Sequence, residues 1–221
     1  MKKILLLGLL GLSSAFGSQI AQYVSLSQGQ DYALTNVGGT SESLVSGVDI
    51  PIGFFWAGGL GLPAGMITAK LNFSATSNTP ATVDGSGNIL EQSWSGTFSI
   101  LNLANQNLLS GTFGPTGLFS GNGTSASLAD SAPPAPEVTF TSDFLDFSNT
   151  SQRGLSLALT NFQIGGTSSN LSMGPGGFPT SGNYAGTGSF SSTFITPEPS
   201  SLTLIGSSLV GLSMLFRRRR S

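Results

Sequence analysis

The sequence predicts an all-β domain with antiparallel strands, on three observations. Between residues 18 and 195 no helical pattern extends beyond a few residues, whereas apolar and polar residues alternate with a period of two in several segments. Clusters rich in Gly, Asn and Ser, such as residues 84–88 and 165–170, separate these segments as turns do. The 221 residues include 31 Gly and 15 Phe, and only 8% are charged, which is unlike a disordered chain. A sandwich, a jelly roll or a sheet closed into a cylinder fits this spacing, and we expect a β-sandwich or jelly-roll-like domain.

Eight segments have the strand pattern. In chain order they are residues 20–26, 44–50, 66–75, 93–103, 108–113, 137–147, 154–164 and 184–195. In the third of them Leu71 and Phe73 alternate with Asn72 and Ser74, as in a strand with one buried face. The same alternation predicts a core containing Phe73, Trp94, Phe98, Phe113, Phe140, Phe162, Phe190 and Phe194.

Three other segments of this region are less regular. Residues 50–62, IPIGFFWAGGLGL, are the most apolar stretch and fit either a buried strand with its turn or an exposed contact surface. Residues 127–138 contain three prolines and are predicted to form a surface loop or stiff connector. Residues 172–183 are rich in Gly and Pro and predict a long loop.

The N-terminus has the layout of a secretory signal peptide over residues 1–17. Lys2 and Lys3 precede a short apolar run, which is expected to be helical, and Ala15 and Gly17 are small residues at the positions that a signal peptidase reads. The alternative is an N-terminal membrane anchor, for which the apolar run is short. We therefore predict cleavage after Gly17 and an exported domain beginning at Ser18.

The C-terminus has a short apolar segment followed by a basic cluster. Residues 200–216 carry no charge and predict one transmembrane helix near the lower length limit of about 17 residues. Arg217, Arg218, Arg219 and Arg220 follow it and are expected to stay on the cytoplasmic side of the membrane. This topology leaves residues 18–195 outside the cytoplasm, in agreement with the predicted signal peptide.

Pro197, Glu198 and Pro199 precede this apolar segment and favour an extended, solvated chain. This order of Pro-Glu-Pro, apolar segment and Arg cluster resembles the PEP-CTERM sorting signal of Gram-negative bacteria, over residues 196–221. The resemblance implies recognition of the three residues by an exosortase, a membrane-embedded processing enzyme, and delivery to the cell surface or extracellular polysaccharide matrix. Thr196 departs from the small apolar residue that often precedes the motif.

The composition excludes several kinds of chemistry. Residues 18–195 hold nine acidic residues but only Lys70 and Arg153 as basic ones, so we expect no nucleic-acid partner. The chain has no His and no Cys, which removes the common general base, thiol nucleophile and zinc ligands. A Ser–Lys dyad would have to use Lys70, which no catalytic motif surrounds. We therefore predict that the protein is not an enzyme and has no cofactor or metal site.

Two weaker possibilities remain in the exported domain. Asp143 and Asp146 are a close acidic pair that could serve a glycosidase or a Ca²⁺ site, although ordinary turn and surface carboxylates are the simpler interpretation. Trp56, Trp94 or Tyr184 could stack on sugar rings if exposed, although core positions are more common for such residues. The predicted function is accordingly an exported structural or adhesive surface protein, and the alternative is an exopolysaccharide-binding module, with or without Ca²⁺.

Overall fold

The computed structural model describes residues 18–27, 29–131, 138–148 and 150–194. The predicted signal peptide and its cleavage residues Ala15 and Gly17 lie outside the described residues, as does the predicted sorting segment 196–221. Within the described ranges, no helix is long and apolar enough to cross a membrane.

Thirteen β-strands and one short 3-10 helix, Pro175–Gly177, make up the described structure. The strands are β1 (Ser18–Ser25), β2 (Tyr32–Val37), β3 (Ser41–Ser46), β4 (Ile50–Trp56), β5 (Met66–Ser77), β6 (Thr82–Val83), β7 (Ile89–Asn102), β8 (Asn107–Asn122), β9 (Ser125–Ser131), β10 (Thr139–Thr141), β11 (Thr150–Ile164), β12 (Thr167–Ser168) and β13 (Gly182–Phe194). The predicted all-β fold is confirmed for these residues.

All strand pairs are antiparallel and belong to one sheet that closes on itself. From β5 the pairing runs through β7, β8, β9 and β11 to β13. β13 then pairs with β1, β1 with β4, and β4 with β5, which completes the ring. The hydrogen bonding is therefore continuous around the molecule, so the described strands form one closed sheet and not the two sheets of the predicted sandwich or jelly roll. Closure leaves none of these strands with a long unpaired edge.

Two of the long strands, β5 and β13, each pair along one edge with two shorter strands in succession. β3 and β4 pair with successive parts of β5, and β1 and β2 pair with successive parts of β13. The predicted continuous strand at residues 44–50 is wrong, because the chain turns at 47–49 between β3 and β4. Asp49 has a φ of 52° there, and the Ser46 hydroxyl accepts a hydrogen bond of 2.8 Å from the Phe73 backbone N–H.

Further strand predictions need correction. β2 was not predicted, and β8 continues to Asn122, beyond the predicted strand at 108–113. β9 occupies half of the predicted proline-containing loop, because its inward residues Leu128 and Asp130 are buried between β8 and β11. Of the predicted strand at 137–147, the structure confirms β10 alone within the described residues. After Thr141 the chain leaves the strand, and the Ser142 hydroxyl accepts a hydrogen bond from the Phe144 backbone N–H. In residues 50–62 the buried-strand interpretation is correct for β4, whose Ile52, Phe54 and Trp56 face the core.

The core is a continuous set of aromatic rings inside the closed sheet. Phe190 of β13 is stacked on Phe98 at a ring-centroid distance of 4.8 Å and lies 6.0 Å from Phe140. Tyr23 lies 6.1 Å from Phe190, and its hydroxyl is hydrogen bonded to that of Tyr32. Each ring pair adds about 0.5–1.5 kcal/mol beyond its apolar burial. The predicted core residues Phe73, Trp94, Phe98, Phe113, Phe140, Phe162 and Phe190 are all buried.

Inward-facing glycines make room for these rings. Gly188 of β13 pairs with Tyr23 of β1. A Cβ atom on Gly188 would lie 2.2 Å from a ring carbon of Tyr23. A larger residue therefore cannot occupy this position unless the tyrosine ring moves.

We predict that Gly188→Ala lowers the free energy of unfolding by about 1–3 kcal/mol, because the added methyl group overpacks the core beside Tyr23. Urea denaturation followed by tryptophan fluorescence measures the change. Gly58→Ala is the matched control, since a Cβ atom there has no heavy atom within 4 Å. Equal stability of the two variants would contradict the proposed packing.

Candidate functional site

A surface pocket of about 640 Å³ lies beside residues 142–148, the loop between β10 and β11. We call these residues the Phe144 loop and the cavity the Phe144 pocket. The exposed fraction of Phe144 is 39%. Among the side chains that the structure describes, it is the sole aromatic one exposed to this extent. The pocket also contains Ser142, Asp143, Asp146 and Arg153, so a phenyl ring and several polar groups share one cavity.

The two carboxylates of this loop hold its backbone in place. Asp143 accepts a hydrogen bond of 2.7 Å from the Asn107 backbone N–H on β8, and its own N–H donates to the Asn107 carbonyl. Asp146 accepts hydrogen bonds from the backbone N–H and the hydroxyl of Ser148, which lower its carboxyl pKa. These contacts support the interpretation as turn carboxylates. No group of three or more His, Cys, Asp or Glu residues that could hold a metal occurs within the described residues.

Arg153 on β11 fixes the end of the loop. Its Nη2 donates to the Phe147 carbonyl at 2.8 Å, and its Nε donates to the Thr150 hydroxyl at 2.9 Å. Its Nη1 reaches the Val138 carbonyl at 3.5 Å. The guanidinium group therefore connects the chain before β10 with the chain after the Phe144 loop, and the pocket wall is preformed.

The other aromatic candidates lie in the core. Trp56 is 7% exposed, and Trp94 and Tyr184 are fully buried. The alternative that one of them stacks on a sugar ring is therefore excluded, and the favoured core interpretation is confirmed. Lys70 lies 3.6 Å from the carboxylate of Asp49 at the surface.

Two acidic residues inside the closed sheet were not predicted from the sequence as a site. Glu42 of β3 and Glu91 of β7 are both fully buried. None of their four oxygens has a hydrogen bond of standard geometry, and the same holds for the Trp94 Nε1 and the Tyr184 hydroxyl. The only sequence signal is that both residues occupy inward positions of their strands, which becomes visible once the register is known.

The pKa of both glutamates is raised, because burial disfavours the charged form of a carboxyl group. Contact with Glu91 raises the pKa of Glu42 further, whereas contacts with Glu42, Ser77 and Trp94 partly offset the effect on Glu91. Burial, followed by the charge of Glu42, also raises the pKa of Tyr184. Both glutamates therefore bind a proton more tightly in the folded chain than in the unfolded chain.

The sorting signal predicted from the sequence lies outside the described residues. This applies to the motif Pro197, Glu198 and Pro199, to the apolar segment at 200–216 and to the cluster Arg217, Arg218, Arg219 and Arg220.

Comparison with known proteins gives one match. The family described as the PEP-CTERM protein-sorting motif matches residues 196–220. No curated protein and no solved structure has a significant match to the chain. The match therefore covers the C-terminal segment and does not extend into the closed sheet.

We predict that the buried glutamates make the protein less stable as the pH rises. Both folded-state pKa values are raised, so the folded chain binds more protons than the unfolded chain above the unfolded pKa of about 4.3. The contribution of these two glutamates to the free energy of unfolding is fully present below that pH. It is lost as the pH rises through their folded-state pKa values, by at most about 1.4 kcal/mol per pH unit for each group. Urea denaturation at a series of pH values above about 4 measures this slope.

The double variant Glu42→Gln/Glu91→Gln tests the assignment. It is expected to reduce the loss of stability with increasing pH, because the amides do not titrate. Asp84→Asn is the control, since Asp84 is on a surface turn and its carboxyl pKa is lowered by Asn88. An unchanged slope in the double variant would show that other groups cause the pH dependence.

Proposed function

We propose that this protein, which carries the PEP-CTERM protein-sorting motif at residues 196–220, is a non-enzymatic structural or adhesive protein. It would act at the cell surface or in the extracellular matrix of a Gram-negative bacterium. The motif supports export through the membrane, a membrane-associated C-terminus and processing by an exosortase. This single observation carries the proposal.

Two features of the exported domain support a role without catalysis. The sequence contains no His and no Cys. Asp143 and Asp146 are engaged in local hydrogen bonds that hold the Phe144 loop. The hydrogen bonds from Ser148 lower the carboxyl pKa of Asp146, whereas a general acid needs a raised pKa.

In the proposed sequence of events each terminal segment has one task. The signal peptide at residues 1–17 starts export, and the apolar segment at 200–216 halts it. Arg217–Arg220 retain the tail on the cytoplasmic side. The extended Pro197–Pro199 segment is then available for cleavage, after which the β-domain is released or attached at the surface.

We predict that the mature protein from its native host has lost Arg217–Ser221 and ends between Pro197 and Ser201. Intact-mass spectrometry measures this end directly. Glu198→Gln is expected to retain the tail and to stay in the membrane fraction, because the recognition motif is altered. Asp84→Asn serves as an acid-to-amide control in the β-domain. A wild-type protein that keeps its Arg tail would make the segment a permanent anchor.

The Phe144 pocket favours a second candidate function, the binding of an extracellular polysaccharide. Sugar-binding sites commonly present an aromatic ring to the C–H face of a pyranose and polar groups to its hydroxyls. Phe144 presents such a ring, with Ser142 and two carboxylates beside it. The hydrogen bonds that Asp143 and Asp146 accept and those that Arg153 donates fix the loop before binding. They thereby reduce the entropy lost on association.

We predict that Phe144→Ala weakens binding to the host's matrix polysaccharide roughly tenfold, or about 1.4 kcal/mol, by removing the stacking surface. Affinity electrophoresis in gels containing that polysaccharide measures the change. Val83→Ala, another exposed apolar side chain, is the control and should bind like the wild type. Equal retardation of Phe144→Ala and the wild type would exclude the pocket as the binding site.

A further inference from the structure

A patch of hydroxyl groups lies on the outer face of β7, β8 and β10. Its first row is Thr97, Thr112 and Thr139, and its second row is Ser99, Ser110 and Thr141. We call these six residues the hydroxyl patch. Within each row the residues are direct cross-strand neighbours. Neighbouring strands are about 4.8 Å apart, and the two rows are about 6.8 Å apart along each strand. All six side chains point outward, because the residues between them face the core.

Hydrogen bonds orient part of the patch and leave part of it available. The hydroxyls of Thr112 and Thr139 are 2.8 Å apart, and those of Ser110 and Thr141 are 2.9 Å apart. The hydroxyls of Thr97 and Ser99 have no hydrogen-bond partner in the described part of the chain. The patch therefore offers fixed hydroxyls on two strands beside free ones on β7.

A groove of about 350 Å³ adjoins the free hydroxyls. Thr97 and Ser99 contribute to its surface, and the turn between β3 and β4 forms the opposite side. Val48 in this turn is 88% exposed. The groove thus combines apolar groups, which fit sugar C–H faces, with hydroxyls, which fit sugar hydroxyls.

The opposite end of the patch leads into the Phe144 loop. Thr141 is the last residue of β10, and the Ser142 hydroxyl accepts a hydrogen bond from the Phe144 backbone N–H. The groove at Val48, the hydroxyl patch and the Phe144 pocket therefore form one face across several strands. Such a face fits an extended chain of repeating units better than a single small molecule.

None of the six patch residues is charged. At the Phe144 pocket, Arg153 donates its hydrogen bonds to the Phe147 and Val138 carbonyls and the Thr150 hydroxyl, and Asp143 and Asp146 add negative charge. The face therefore favours a neutral polymer over an anionic one. We propose that the hydroxyl patch binds a neutral polysaccharide chain that lies across the strands between the Val48 groove and the Phe144 pocket. This inference rests on the proposed polysaccharide-binding function and assigns to it the charge class of the ligand and the surface used. Each ligand hydroxyl can both donate to and accept from the Ser and Thr hydroxyls.

The test uses the protein purified from its host and the host's matrix polysaccharide, separated into neutral and acidic fractions by anion exchange. Affinity electrophoresis is expected to show retardation by the neutral fraction only. Thr97→Val/Ser99→Ala should weaken this binding roughly tenfold, because two ligand hydrogen bonds are lost. The substitutions alter only exposed or half-buried side chains and break no hydrogen bond within the protein.

Thr187→Val/Ser189→Ala is the matched control, with the same residue types at the same spacing on the outer face of β13. It should bind like the wild type, and an equal loss in both variants would overturn the assignment to the hydroxyl patch. Binding that is lost in Phe144→Ala but unchanged in Thr97→Val/Ser99→Ala would refute this inference and leave the proposed function intact. Wild-type protein that binds neither fraction would refute both.

Two further results would overturn the choice of ligand. Preferential binding of the acidic fraction would contradict the neutral charge class. Regular hydroxyl rows could instead order water, so inhibition of ice recrystallisation without binding to the neutral fraction would assign the patch to ice.

Discussion

The closure of the antiparallel sheet is the constraint on which the rest of this structure depends. β13 must meet the N-terminal strands, and β5 must pair with β7 on one edge and with β3 and β4 on the other. The enclosed volume is then filled by rings such as Phe98, Phe140 and Phe190. Closure requires tight curvature, and glycine at inward positions such as Gly188 allows the backbone to approach a facing ring.

A closed sheet separates an apolar interior from an outer face on which uncharged polar residues are common, since only 8% of the residues are charged. Glu42 and Glu91 are fully buried in this interior, and burial raises the pKa of both carboxyl groups because it disfavours their charged form.

The surface features and the terminal segments have separate roles. The sorting motif at residues 196–220 determines processing and delivery, whereas the proposed binding properties belong to the outer face of the closed sheet. Asp143 and Asp146 illustrate the relation between the fold and this face, since their hydrogen bonds shape the loop that presents Phe144.

The sequence alone determined what depends on local pattern. Period-two alternation predicted β5, β7, β11 and β13, and most of the aromatic core, because inward positions of a strand are apolar wherever it lies. The order of Pro197, Glu198, Pro199 and the Arg cluster identified the sorting motif, which is read as a linear segment.

Only the tertiary structure decided what depends on register and closure. β9 became a strand because β8 and β11 pair with it on either side, despite the prolines that follow it. The pairing of Glu42 with Glu91 and the alignment of Thr97 with Thr112 join residues far apart in the chain. A shift of one residue in register would turn each of these side chains to the opposite face of the sheet.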